Sequence, residues 1–148
     1  MIVVGVDHSE GAKAALRFAL DEAELRRTSL RLVHAWELSY VAASFVPGAY
    51  PASGEEIDDL RAAAQESLEA TLRDVSPSSS QVDVELHAVE GAAAEVLVDE
   101  SQVAELLVVG SRGLGGFSGL LLGSVSQQCA HHAACPVVIV RAPSEKLD

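Results

Sequence analysis

The sequence predicts an α/β fold on a mostly parallel sheet, and three observations point there. Five short apolar runs, most of them rich in β-branched residues, alternate with four stretches whose apolar residues recur at helical spacing. Parallel strands need such helical crossovers, so the alternation itself argues for layers of helix on sheet. The length, 148 residues, suits one domain and is enough to bury a core.

The elements follow in order. "IVVGVD" (2–7) is a β-branched run ended by polar residues and reads as a buried strand. Ser9 can cap a helix running to about Arg27, with Ala15, Leu16, Ala19, Leu20 and Ala23 on one face. "LRLVHAW" (30–36) is the second strand. Residues 37–53 carry two prolines, a glycine and no periodicity, which predicts a long loop of a kind that often has a function. The next helix spans about 55–74, and its acidic start (Glu55, Glu56, Asp58, Asp59) complements the helix dipole. After the breaker "PSSSQ", the run "VDVELHAV" (82–89) alternates as a third strand. "AAAEVLVDESQV" (92–103) is a shorter helix, "AELLVVG" (104–110) the fourth strand, 120–133 the fourth helix and "PVVIVR" (136–141) the fifth strand. The tail 142–148 is expected to fray, and the whole of 1–148 is expected to be one domain without tandem repeats.

Charge and composition exclude several classes. A net charge of −12 leaves no surplus of Lys and Arg to displace counterions from a nucleic-acid backbone. It also repels small polyanions, so a phosphate ligand would need local help from backbone dipoles, an arginine or a metal ion. The apolar runs are far too short to span a membrane, and "MIVVGVD" lacks the basic start and long apolar core of a signal peptide. A cytoplasmic protein without a membrane partner is the expectation. Cys129 and Cys135 are read as reduced, buried thiols.

The stretch "GSRGLGGFSGLLLGS" (110–124) holds six glycines in fifteen residues, directly after the fourth strand. It has no lysine, so it cannot be a phosphate-cradling P-loop of the NTPase type. The dinucleotide fingerprint fails too, because Ser118 stands where its third glycine belongs. What remains is Gly110 and Gly113, then nine residues, then Gly123 and Ser124. Bare amides at the first pair can form an anion nest, and the second pair lies near a helix start whose N–H groups also favour an anion. In open α/β sheets ligands sit beyond the carboxyl ends of the strands, where this stretch lies.

This spacing, with the opening "IVVGVDHSEGAKAAL", the strand "LRLVHAW" and the closing "GLLLGSVSQQCAHHAACPVVIVR", resembles the universal stress protein family, specifically its ATP-binding branch. The resemblance covers nearly the whole chain. It implies a Rossmann-like fold with sheet order 3-2-1-4-5 and helices on both faces. It implies further that an adenine nucleotide, ATP first and with Mg²⁺ as a candidate companion, binds at the carboxyl ends of strands one, two and four. Asp7 would meet the ribose or adenine, Ala35 would bond adenine through its backbone, and Gly5 and Val6 would line the floor. Gly110, Gly113, Gly123 and Ser124 would take phosphates, with Val125 adjoining and Ser111, Arg112 and Gly116 completing the set. Because a carboxylate repels phosphates, Asp7 is expected to sit away from the glycine stretch. The segment between Gly113 and Gly123 has no basic residue, which leaves Arg112 as the cation at hand and keeps AMP and cyclic AMP open as ligands. The implied output is nucleotide-dependent binding of a protein partner under stress. A weak ATPase or phosphotransferase and a scaffold with a vestigial pocket remain alternatives.

Other candidates read plainly. His131 and His132 are consecutive in a helix and cannot easily grip one ion, so no metal site is expected. His8 is expected in solvent, and His34 as a core or pocket-edge residue. Ser111, Ser118 and Ser124 lack a nucleophile elbow or a triad, so no catalytic residue is assigned and at most slow ATP hydrolysis is expected. The implied sheet order leaves 136–141 at an edge with four consecutive apolar residues and no charge before Arg141. Such an edge invites pairing, so a homodimer through this strand is expected, to be weakened by Val138→Pro if that N–H points outward.

Overall fold

Strand β1 (Ile2–Gly5) is apolar at successive residues because it is covered on both sides. In the computed structural model, which describes residues 1–38, 53–76, 80–113 and 121–143, Ile2 and Val4 pack towards one helical layer and Val3 towards the other. The remaining elements are α1 (Glu10–Arg26), β2 (Leu30–Trp36), α2 (Gly54–Val75) and β3 (Val84–Glu90). They are followed by α3 (Ala93–Glu100), a 3₁₀ turn (Ser101–Val103), β4 (Leu106–Gly110), α4 (Ser124–His132) and β5 (Val137–Val140). The five strands form one parallel sheet in the order β3-β2-β1-β4-β5. Helix α1 and the Leu68 face of α2 cover one side, and Val96, Leu97 and Cys129 of α3 and α4 cover the other.

Local chemistry sets the helix ends. Ser9 accepts the Ala12 N–H and starts α1, while Arg27 takes the left-handed conformation (φ 54°) that closes it. Helix α2 begins with a reciprocal capping box between Ser53 and Glu56, so the acidic start has a cap as well as a dipole to serve. Hydrogen bonding to Ser53 holds the Glu56 carboxyl below its ordinary range.

Several boundaries differ from the sequence expectation, each for a local reason. Val6 still bonds Val33 O (2.9 Å), but Asp7 leaves the sheet to bond Ser9, so β1 is shorter than 2–7. The helix expected over 92–103 tightens into the 3₁₀ turn once Ser101 Oγ bonds Val98 O (2.5 Å) and accepts the Ala134 N–H (2.8 Å). Helix α4 starts at Ser124, not 120, with Gly123 in an extended conformation as its cap. Ala142, placed in the expected frayed tail, is buried, and 144–148 lie outside the described residues, as does most of the loop expected over 37–53.

At the carboxyl end of β4 two backbones meet. A Cβ built on Gly110 would lie 2.9 Å from Gly11 C and 3.0 Å from Gly11 O, and one on Gly11 would lie 2.9 Å from Arg112 O. No side chain can yield at that contact. Gly54, at the start of α2, has open space around it. Alanine at the two positions should therefore act with opposite signs. Gly54→Ala should stabilise by a few tenths up to about 1 kcal/mol through reduced chain entropy, whereas Gly110→Ala should destabilise by about 1–3 kcal/mol through overpacking. Urea unfolding of both variants measures the contrast.

Candidate functional site

The sheet order reverses at β1, whose neighbours β2 and β4 lead away in opposite directions. Crevices in open α/β sheets form at this point. Here a cavity of about 390 Å³ opens at the carboxyl ends of β1, β2 and β4. It takes in Gly5, Val6, Asp7, Ala35, Gly110, Arg112, Gly113, Gly123, Ser124 and Val125 among the residues singled out in the sequence. Ser111 does not line it, and Gly116 lies outside the described residues.

The lining is divided in character. Val6, Val33, Ala35, Ala93, Leu97 and Val109 make apolar walls. Leu97 reaches over from α3 so closely that a Cβ on Gly5 would sit 2.6 Å from its Cδ1. The polar border comes from Asp7, Ser9, the 110–113 backbone and the first turn of α4. Gly123 gives α4 no side-chain cap, and the first turn of the helix borders the cavity through Ser124, Val125 and Ser126. Arg112 is the one cationic side chain among the described residues lining the cavity.

Ser111 serves the site from behind. Its side chain is fully buried, and its N–H bonds Val140 O (2.8 Å). Its carbonyl accepts both the Gly123 N–H (2.6 Å) and Ser126 Oγ (2.9 Å), while Ser126 Oγ also lies 3.0 Å from Gly123 O. These bonds hold the two ends of the glycine stretch together. Ser9, Leu97 and Ser126 were not singled out in the sequence as site residues. Ser9 was legible as a cap, but Leu97 and Ser126 carry no local motif.

The position of Asp7 corrects one expectation. Its carboxylate does not sit away from the glycine stretch: Oδ2 lies against Gly113, where any Cβ would collide with it. Ser9 causes this by bonding Oδ1 through its N–H (3.1 Å) and hydroxyl (2.6 Å), which turns the other oxygen towards Gly113. The charge argument concerned phosphates, and the neighbour here is a bare α-carbon.

The remaining candidates are accounted for individually. His34 is half-buried, and its Nδ1 donates to Val6 O (2.9 Å), since a carbonyl has no proton to offer. His8 is exposed beside Ser67, its ring 5.2 Å from that of His34. His131 and His132 are exposed at the end of α4, where a cation suits the dipole. Both cysteines are free, and burial pushes the Cys129 thiol up to about 11, which keeps it protonated. Among the described residues no group of three or more His, Cys, Asp and Glu could hold a metal ion, and no helix is long and apolar enough to cross a membrane.

The universal stress protein family model matches residues 1–141. A universal stress protein of Mycobacterium tuberculosis (strain H37Rv) is 39% identical over 147 residues, which cover 94% of this chain and 46% of that protein. The chain spans about half the length of the curated relatives it matches. Among solved structures, UspA from Lactobacillus plantarum superposes with a TM-score of 0.74 at 22% identity, over 95% of this chain and 96% of that one. A universal stress protein in complex with cAMP superposes with a TM-score of 0.68 at 27% identity, over 95% and 96% respectively.

The clamp behind the glycine stretch is open to test. Ser126→Ala removes a buried hydroxyl from two carbonyls and should destabilise by about 1–2 kcal/mol. It should also speed hydrogen exchange at the Gly123 N–H, which is the other bond to Ser111 O. Unchanged exchange there would mean that Gly123 alone holds the stretch closed.

Proposed function

The chain belongs to the universal stress protein family, and from that premise we propose that its cavity binds an adenine nucleotide, with ATP as the first ligand. One observation carries this reading: a single cavity joins an apolar slot to a border of backbone amides and one arginine. Its volume suits a small molecule. Adenine would enter between the apolar walls and bond the Ala35 backbone, and Asp7 would accept from ribose or adenine donors. Phosphates would lie along Gly110, Arg112 and Gly113 on one side and Gly123, Ser124 and Val125 on the other. Ser111 would contribute through the stretch it anchors. Mg²⁺, where present, would arrive as the counterion of the triphosphate.

A second reading has its own support. A relative of 27% identity is solved in complex with cAMP, and Arg112 is the one cation among the described lining residues. A ligand with one phosphate, AMP or cyclic AMP, asks for less positive charge. We propose binding rather than turnover, in the cytoplasm, where two free thiols suit a reducing compartment. The output would be a nucleotide-dependent change in how a protein partner is engaged.

We also propose a homodimer through residues 136–141. Among the described residues strand β5 pairs only with β4, and its residues Val137–Val140 are all partly exposed. Pro136 O and Val140 O accept from Leu107 and Ser111, so residues 136, 138 and 140 face β4 and the outward groups belong to Val137 and Ile139. Proline at Val138 would break the sheet itself. The informative change is at Ile139.

Two measurements test these readings. Mass spectrometry of ligand released from purified, denatured protein, followed by calorimetry with ATP, AMP and cyclic AMP with and without Mg²⁺, should find an adenine nucleotide. Asp7→Ala should weaken ATP and adenosine by similar factors, about tenfold for the loss of a charged hydrogen bond. A loss confined to triphosphates would instead place Asp7 on magnesium. For the dimer, Ile139→Pro should leave the fold intact and lower the light-scattering mass towards that of a monomer. A concentration-independent monomer mass in the unmodified protein would end that proposal.

A further inference from the structure

The turn between β1 and α1 contains a hydroxyl that does two things at once. Ser9 Oγ accepts the Ala12 N–H (3.1 Å), which caps α1, and donates to Asp7 Oδ1 (2.6 Å). A hydroxyl has one proton and two lone pairs, so both bonds form together. The Ser9 N–H reaches the same carboxylate oxygen (3.1 Å), closing a turn in which His8 stands in the left-handed region at φ 71°. Histidine adopts that region with some strain, so the turn is held by its side-chain bonds against the preference of its own backbone. With Oδ1 held twice by Ser9, Oδ2 lies against Gly113 at the border of the cavity.

We propose that Ser9 is a positioning residue for this cavity: it fixes the Asp7 carboxylate in the orientation that meets a nucleoside. The proposal rests on reading Asp7 as the nucleoside contact. Capping alone does not require what is seen here. Serine, threonine, asparagine and aspartate all cap helices, and glycine does so nearly as well, but glycine and ionised aspartate have no side-chain donor for Asp7, whereas the Ser9 hydroxyl caps and donates through one atom.

The test uses the full chain, with adenosine and inorganic pyrophosphate as separate calorimetric probes and thermal unfolding run alongside. Ser9→Gly keeps an acceptable cap but removes the donor. It should weaken adenosine about tenfold while changing pyrophosphate by no more than about twofold. Ser9→Thr keeps the hydroxyl and should restore adenosine binding, which a role in folding alone would not produce. Ser9→Gly with unchanged adenosine affinity, or with equal losses for both probes, overturns the proposal. Should Asp7→Ala lose adenosine while Ser9→Gly does not, the proposal falls and the Asp7 reading stands. A wild-type protein that takes up pyrophosphate but no adenosine overturns both.

Discussion

The backbone of α1 lies directly on the backbone at the end of β4, with only glycine hydrogens between Gly11 and Gly110. This contact sets the geometry of the crevice. It brings the β1–α1 turn and the β4–α4 glycine stretch to the same place, and the cavity is the space that they and the apolar walls enclose. The glycines therefore answer to packing before they answer to any ligand. Gly110 is required by Gly11, and Gly113 by the Asp7 carboxylate; Gly123 has Arg112 Cα at 3.3 Å from where its Cβ would be. A glycine pattern that reads as a phosphate site in sequence is, in the fold, first the pattern that lets two loops touch. The two roles are compatible, because backbone left bare for close packing is also backbone left bare for an anion.

Electrostatics bears on what can enter. The whole chain carries −12, which disfavours approach of a polyanion from a distance. At physiological salt that repulsion is screened beyond about 8 Å, so binding is decided by the groups at the border. There the amides of the first turn of α4, the 110–113 backbone and Arg112 stand together, and Asp7 is the opposing charge at the same border. Its Oδ1 is engaged by Ser9, and its Oδ2 lies against Gly113. A nucleotide satisfies both signs: neutral donors for the carboxylate, phosphates for the amides. An inorganic polyanion satisfies one.

Most of the fold was legible because its signals are local. Strand β2 lies on the residues expected from sequence, Leu30–Trp36, with its buried apolar residues Leu30, Leu32 and Val33 interrupted by the partly exposed Arg31. Helix α1 was legible from its stripe and its Ser9 cap, and α2 from its acidic start, without the Ser53 cap that begins it. The family spacing supplied the sheet order and part of the cavity lining, which no local signal contains. Three things were not legible, all of them tertiary. Asp7 sits beside Gly113 because Ser9 rotates it, a bond that depends on the left-handed turn at His8. Ser126 matters through carbonyls at Ser111 and Gly123, whose approach depends on how the stretch closes. The outward groups of β5 belong to Val137 and Ile139 because of the register with β4, and shifting that register by one residue would exchange them.

The two edges of the sheet differ in a way that bears on function. On β3, Glu85, His87 and Glu90 stand among the apolar residues, and Glu85 is tied to Arg31, which also bonds Glu100 at the end of α3 (2.8 Å). Those bonds raise the Arg31 pKa, and charges of this kind discourage another strand from adding. Strand β5 has no such guard: Val137–Val140 is apolar throughout. Charge thus discourages an added strand at the β3 edge and not at the β5 edge, which is hydrogen-bonded to the glycine stretch. The Ser111 N–H bonds Val140 O, and the Ser111 carbonyl bonds Gly123 and Ser126, so a single residue joins the last residue of β5 to both ends of the glycine stretch. Any ligand that moves Ser111 must either stretch those bonds or carry Val140 with it. The unguarded edge and the glycine stretch are in this sense one mechanical unit, linked through Ser111, which itself does not line the cavity.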